Sequence, residues 1–225
     1  MARCLLAGLV ALGALIVGAA AAADAPPVDP RAVQLIVRHE IGSEQVYSRR
    51  YERPVWPGAA SGVTVGVGYD LGHRPASSIV LDWSAHPQHP RMAKASGVIG
   101  PPARHLAASM ADVVVKFAQA RAVFERTSLI EHYRIARRVF GAKHFDQSPA
   151  AVQGALVDLV FNRGGSMTGP GRVEMRAIRD DCLPRRDRQC VADQLRAMVR
   201  LWKGSSIERG MQRRRFEEAE LALAP

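Results

Sequence analysis

Cysteine is scarce in this chain, three in 225 residues, and one of the three, Cys4, stands at the start of an apolar leader. Aromatic residues make up only 6% and are not interleaved with the basic ones, so the stacking platform of a single-stranded nucleic-acid binder is missing. No glycine-rich loop follows a strand and opens a helix with lysine, which leaves nucleotide binding unsupported. Seven histidines are present, yet no helix carries a pair at i, i+4, and His86 and His89 sit in a proline-rich loop. A catalytic metal is therefore not expected. There are no internal repeats and no long low-complexity tracts. Acidic residues are also outnumbered, 21 against 31 lysines and arginines, for a net charge of +10.

What is present begins with a leader. Residues 1–23 read as a secretory signal, with Arg3 as the charged start, an apolar run from Leu5 to Val17 and an alanine-rich cleavage region ending near Ala23. A signal anchor is the alternative, but the apolar run falls short of the roughly 20 residues that span a bilayer. Cleavage is expected, which places the protein in the periplasm or outside the cell, with no stable membrane anchor. Cys4 lacks a lipobox-like context, so a lipoprotein reading is weak. The remaining 202 residues, 225 minus 23, suit one domain or a two-lobed domain. Without Arg3 the net charge is +9. Such a field draws the protein toward polyanions, cell-wall polymers or lipid headgroups outside the cytoplasm, although a solubilising surface explains the same charge.

Cys182 and Cys190 stay behind in a loop rich in arginine and aspartate. In an oxidising compartment, a pair closing so short a loop reads as a local disulfide rather than a metal site. Bridging removes the thiolate that nucleophilic cysteine chemistry needs. The sequence does not say whether the Cα atoms come close enough.

Along the chain, Asp29-Pro30 reads as a helix start, and Val33, Ile36, Val37, Glu40 and Ile41 recur at helical spacing up to Gly42. Glu40 is expected on the buried stripe. From Arg50 to Gly72 the texture changes, and Val63, Val65 and Val67 alternate with Thr64, Gly66 and Gly68 as in a strand, within a hairpin beginning near Tyr51. Residues 73–104 read as irregular with short helical pieces. Beyond Ser109 the chain reads as helical: Val113 to Phe124, then Ser128 to Phe140, then an apolar helix capped by Ser148-Pro149. Further helices are expected from Val191 to Trp202 and from Ile207 to Leu223. The expected class is α+β, mainly helical, a small α+β lobe over residues 24–105 followed by a larger helical lobe over residues 106–225.

Two carboxylates and a hydroxyl stand out. Cleaving a glycosidic bond needs an acid for the leaving oxygen and a second carboxylate to stabilise the oxocarbenium-like state or activate water. A glutamate on an apolar helix face keeps its proton through desolvation, which suits Glu40. Asp70, beside glycines at a strand end, suits the second role, and Thr64, six residues before it, could hold a water. Read blandly, Glu40 is a salt-bridged helix end and Asp70-Leu71-Gly72 an ordinary turn.

Glu40 with the run Gly62-Val63-Thr64-Val65-Gly66-Val67-Gly68-Tyr69-Asp70-Leu71-Gly72 resembles the catalytic region of phage-type lysozymes, the muramidases of glycoside hydrolase family 24. The stretch from Ala155 to Gly164, with Phe161-Asn162-Arg163-Gly164, is similar to that family's helix ending in phenylalanine-asparagine-any-glycine. Trp202 and the run from Gly210 to Glu218 are similar to its closing tryptophan, glycine and arginine-rich helix. The three blocks occur in the family's order. In one respect the chain departs: Arg49 stands where the usual phage enzyme has its aspartate or cysteine, and only Glu44 and Glu52 lie near. The pesticin-type muramidase, whose carboxylate follows the threonine by six residues, matches Thr64 and Asp70 better.

The resemblance implies a lysozyme-like fold with a β-hairpin lobe. It also implies a muramidase acting on peptidoglycan glycan strands without a cofactor, monomeric, with no nucleic-acid partner. Carried over, Glu40 becomes the general acid, Asp70 the second carboxylate and Thr64 the residue that positions water. Arg214 falls where the family places an arginine beside the glutamate, and its charge would oppose the desolvation of Glu40. Asn162 becomes a sugar or orienting contact, with a helix C-cap as its plain alternative. His39 and His73 flank the acid and the strand, where lone histidines are usually surface or hydrogen-bonding residues. The rival readings are a wall-binding protein that keeps the fold without activity, and a basic nucleic-acid binder or secreted nuclease.

Overall fold

The structure, a computed structural model, describes residues 28–225. The leader read over residues 1–23 lies outside the described residues. The architecture is mainly helical with one small antiparallel sheet. The first helix, α1 (Pro30–Ile41), starts as its sequence dictates: the Asp29 carboxylate accepts from the Arg31 N–H at 2.8 Å, and proline fills the first turn. Gly42, at φ 81°, ends it. A short α2 (Glu44–Arg50) follows, capped by Ser43.

The hairpin comes next and is smaller than its sequence suggests. Strand β1 (Thr64–Val65) pairs antiparallel with β2 (Tyr69–Asp70), in the register Thr64↔Asp70 and Val65↔Tyr69. The single strand expected over Val63–Val67 is therefore the hairpin itself, because Gly66 and Gly68, at φ 62° and 69°, turn the chain between the two strands. The alternation survives as burial, since Val63, Val65 and Val67 are all buried. The first arm expected near Tyr51 reduces to one bridge, Val55 to Thr64.

Residues 73–104 do form short helices, α3 (Ala76–Asp82), α4 (His89–Ala93) and the start of α5 (Pro101–Ser109). The next helix starts later than its periodicity implies. Val113 and Val115 are buried outside helices, with the Val115 N–H donating to the Glu52 carbonyl at 2.8 Å, and α6 runs from Phe117 to Arg126. Helices α7 (Ser128–Val139) and α8 (Ala142–Asp146) lead to α9 (Ala150–Arg163). Ser148 does not cap α9; its hydroxyl donates back to the His144 carbonyl at 2.8 Å. After α10 (Val173–Ala177) and the single π turn Ile178–Cys182 come α11 (Arg188–Ala197) and α12 (Glu208–Leu223). The helix expected from Val191 to Trp202 tightens to a 3₁₀ turn at Met198–Trp202.

Helix α9 is the hub. Ala151, Val152 and every residue from Gly154 to Val160 are buried, so it is covered on all sides, by α1, α7 and α12. Each fully buried valine or leucine there stabilises by about 1.5–3 kcal/mol. The approach of α1 to α9 depends on Gly154, where a Cβ would lie 2.6 Å from the Ala32 Cβ. Helix α12 packs against α9 and α11, which brings its arginines onto the end of α1.

Candidate functional site

Glu40 is not buried as its periodicity implies. It follows Val33, Ile36 and Val37 around the helix, but while Ile41 beside it stays buried, the Glu40 side chain is 34% exposed. What covers it is an arginine. Arg214 Nη1, from the middle of α12, donates to Glu40 Oε1 at 2.9 Å. Arg214 itself is buried and turns its other side to Asp158 of α9, donating from Nε at 3.1 Å and also from Nη2, both to Oδ1. One guanidinium thus ties α1, α9 and α12 together. Desolvation opposes its charge, yet Asp158 and Glu40 together hold its pKa above the ordinary arginine value.

Beside it lies a second buried pair. Arg215 and Glu218, both fully buried on α12, hydrogen-bond to each other, and Arg215 Nη2 also donates to Asn162 Oδ1 at 3.2 Å. Burial pushes the Glu218 carboxyl well above its usual range and pulls the Arg215 guanidinium down. Asn162 therefore holds an arginine and is not the C-cap of α9, a position taken by Gly164 at φ 71°. The Trp202 ring lies under two of these cations, Arg163 at 5.1 Å and Arg215 at 5.9 Å. Desolvation, with Arg172 and Arg215 nearby, lowers the Arg163 pKa to about 10.

The hairpin residues form a separate group. Thr64 and Asp70 are direct cross-strand partners, which puts their side chains on one face. The Asp70 carboxylate, 24% exposed, is held by backbone: the Gly62 N–H donates to its two oxygens at 3.1 and 3.0 Å, and the Gly72 N–H to Oδ1 at 2.9 Å. His73 Nε2 stands 3.9 Å away. The glycines are needed because a Cβ on Gly62 would lie 2.4 Å from Asp70 Oδ1 and 2.5 Å from the Gly72 Cα. Asp70 is thus the cap of the turn at Leu71–His73 as well as a surface carboxylate. Among the described residues no hydrogen bond joins the Thr64–Asp70 pair to the Glu40–Arg214 pair.

A cavity of about 670 Å³ opens where the end of α1 meets α12, lined among others by Arg38, His39, Gly42, Met211, Arg214 and Glu217. His39 Nε2 lies 2.6 Å from Glu217 Oε2, and Arg38 pairs with the same carboxylate at 3.0 Å. Burial, then the Arg214 charge, hold the His39 pKa below its ordinary value against the pull of Glu217. Cys182 and Cys190 are joined, with Cα atoms 5.4 Å apart. Among the described residues no group of three or more histidine, cysteine, aspartate or glutamate side chains could hold a metal ion. No helix among them is long and apolar enough to cross a membrane.

Two members of the cluster were not picked out from sequence. Asp158 is a charge inside the apolar run Leu156-Val157-Asp158-Leu159-Val160, itself a signal of a buried partner. Glu218 stands at i+4 from Arg214 and i+3 from Arg215, a spacing that pairs charges on one helix face.

Among curated proteins, none matches this chain. A family model described as Domain of unknown function (DUF8812) matches residues 37–181, which begin in α1 just before Glu40, take in the hairpin and α9, and stop in the π turn at Asp181. That match covers more than half of the chain, and the protein belongs to this family of domains of unknown function.

Proposed function

We propose that this protein is an exported peptidoglycan hydrolase, a muramidase cleaving the β-1,4 bond between N-acetylmuramic acid and N-acetylglucosamine. On this reading the fold is a lysozyme-like one with a hairpin lobe before a helical lobe, working as a monomer in the periplasm or outside the cell, without a cofactor. Glu40 protonates the leaving oxygen, Asp70 stabilises the oxocarbenium-like state, and the Thr64 hydroxyl positions water. The observation that carries the reading is the 2.9 Å contact from Arg214 to Glu40, which fixes the acid's direction at the open end of α1. Arg214 is a positioning residue. The backbone bonds at Asp70 serve the same end by fixing a carboxylate on the face it shares with Thr64.

The test is lysis of purified sacculi, followed by turbidity and by mass spectrometry of the released muropeptides. Glu40→Gln should lower the rate at least 100-fold, as loss of a general acid does, with the fold intact by circular dichroism. Asp70→Asn should be nearly as damaging, and Glu44→Gln mild. Lysis retained by purified Glu40→Gln sinks the assignment.

A second reading is a wall-binding protein without activity. It is favoured by the engagement of both carboxylates, Glu40 by an arginine and Asp70 by backbone N–H groups. It requires co-sedimentation of the wild type with sacculi and no new reducing ends.

A further inference from the structure

Arg214 meets Glu40 on one side and two fully buried carboxyl groups on the other, Asp158 of α9 and Glu218 of α12. Those two converge on a single donor, since Arg214 Nε lies 3.1 Å from Asp158 Oδ1 and 3.8 Å from Glu218 Oε1. The arginine donors that reach the pair all go to these same oxygens, Arg214 Nη2 to Oδ1 and Arg215 Nη2 to Oε1. The remaining oxygens, Asp158 Oδ2 and Glu218 Oε2, are buried and have no partner among the described residues. Yet the two carboxyl groups stand within hydrogen-bonding reach of each other.

Two ionised carboxylates placed so close repel each other, and each leaves one oxygen dry and unpaired. One proton removes both faults: carried on Glu218 Oε2, it is donated to Asp158 Oδ2. Glu218 is its natural holder, because Asp158 takes two charged donors and Glu218 takes one. The charged groups facing Glu218 are Asp158 and Arg163 from α9, and Arg214 and Arg215 from its own helix. Helix α1 adds Glu40 and His39 around Arg214, whereas the residues that α11 buries are Val191, Ala192 and Leu195. Burial is the largest influence on the Glu218 carboxyl and raises its pKa, against the pull of Arg215 and Arg214.

We propose that Glu218 and Asp158 hold one proton between them at neutral pH, and that this singly charged pair positions Arg214 on Glu40. One negative charge opposite Glu40 takes up part of the guanidinium's charge and leaves the rest for the acid. Without it, the whole charge falls on Glu40 and holds it ionised. The consequence for Glu40 rests on the muramidase reading; the shared proton does not. Asp158 and Glu218 are positioning residues.

The experiment compares the wild type with Glu218→Gln and Asp158→Asn, whose amides fill the empty hydrogen bond but cannot share a proton. Infrared spectra at pH 7, where surface carboxylates are ionised, should show the carbonyl band of a protonated carboxylic acid in the wild type and in neither variant. Urea unfolding from pH 5 to pH 7 gives a second readout. A carboxyl whose folded-state pKa is raised contributes stability that is complete below its unfolded value of 4.5 and is lost as pH rises. The wild-type unfolding constant should therefore climb about tenfold per pH unit relative to either variant. A wild type without the band, a band that survives in Glu218→Gln, or parallel pH slopes overturns the shared proton. Two ionised carboxylates bridged by a buried water would give that outcome. Should one variant fail to fold, the other decides. In the double variant, Asp158→Asn with Glu218→Gln, the alkaline limb of the lysis profile should move down by about one pH unit or more; an unmoved limb overturns the positioning role. A wild type that lyses no sacculi sinks the muramidase reading, and the band and the slopes still decide the proton.

Discussion

Arg214→Met should be among the most damaging substitutions in this protein, and the structure sets its size. Asp158 is fully buried, and its Oδ1 takes both Arg214 donors while Oδ2 has no partner among the described residues. Removing the guanidinium leaves that carboxylate charged and uncompensated, at a cost of about 3–5 kcal/mol. Against a typical total stability of about 5–15 kcal/mol this is a large fraction. In a chain of this length it corresponds to a fall in thermal midpoint of roughly 6–20 °C. Asp158→Leu should cost less, because Arg214 then keeps Glu40 at 2.9 Å and Glu218 at 3.8 Å. The double variant, Arg214→Met with Asp158→Leu, should recover part of the loss, since exchanging a buried pair for apolar groups is often near neutral. Urea unfolding of the four proteins at pH 7, followed by circular dichroism, gives the coupling energy directly, and it should exceed about 2 kcal/mol. Single effects that simply add, or an Arg214→Met midpoint within 2 °C of wild type (about 1 kcal/mol or less), would refute the reasoning.

The remaining predictions concern the hairpin and the cavity at the end of α1. Gly62→Ala should destabilise by about 1–3 kcal/mol and displace the Asp70 turn, because the new Cβ meets Asp70 Oδ1 at 2.4 Å and backbone at 2.5 Å. Gly68→Ala, with open space around it but φ 69°, should cost only about 1–2 kcal/mol; calorimetry ranks the two, and the reverse order would contradict the packing described. His39 has a folded-state pKa below the 6.5 of the free side chain, so its neutral form is favoured on folding. Stability from this group is therefore complete above pH 6.5 and is lost as pH falls through the depressed folded-state pKa. His39→Gln should flatten the thermal midpoint curve in that window, and Glu217→Gln, which removes the opposing hydrogen bond, should steepen it; identical slopes in all three proteins would remove His39 from the account.

Sequence was informative where interactions are local. Asp29-Pro30 and Gly42 bound α1 because capping depends on neighbours in the chain, and the apolar run around Leu156 marks a buried α9 because burial on every side needs it. The six-residue spacing of Thr64 and Asp70 became a direct cross-strand pair, since three glycine-framed residues suffice to reverse the chain. The join of Cys182 to Cys190 spans eight positions, from the end of the π turn into the first turn of α11. Each depends on contacts within a few turns of chain.

Tertiary structure decided the charges. Periodicity placed Glu40 on the apolar stripe, but only the packing of α12 shows that Arg214, rather than apolar side chains, lies against it while Ile41 next to it stays buried. That arginine lies 174 residues from Glu40 and 56 from Asp158, and no local pattern orders side chains across such distances. Asn162 likewise read as a sugar contact or a cap, and only the packing of α12 shows Arg215 donating to its amide oxygen, with Gly164 as the cap. Helical periodicity gives the direction of a side chain around its own axis. Whether a charge there meets water, apolar packing or an opposite charge depends on the other helices, and the sequence alone does not carry their arrangement.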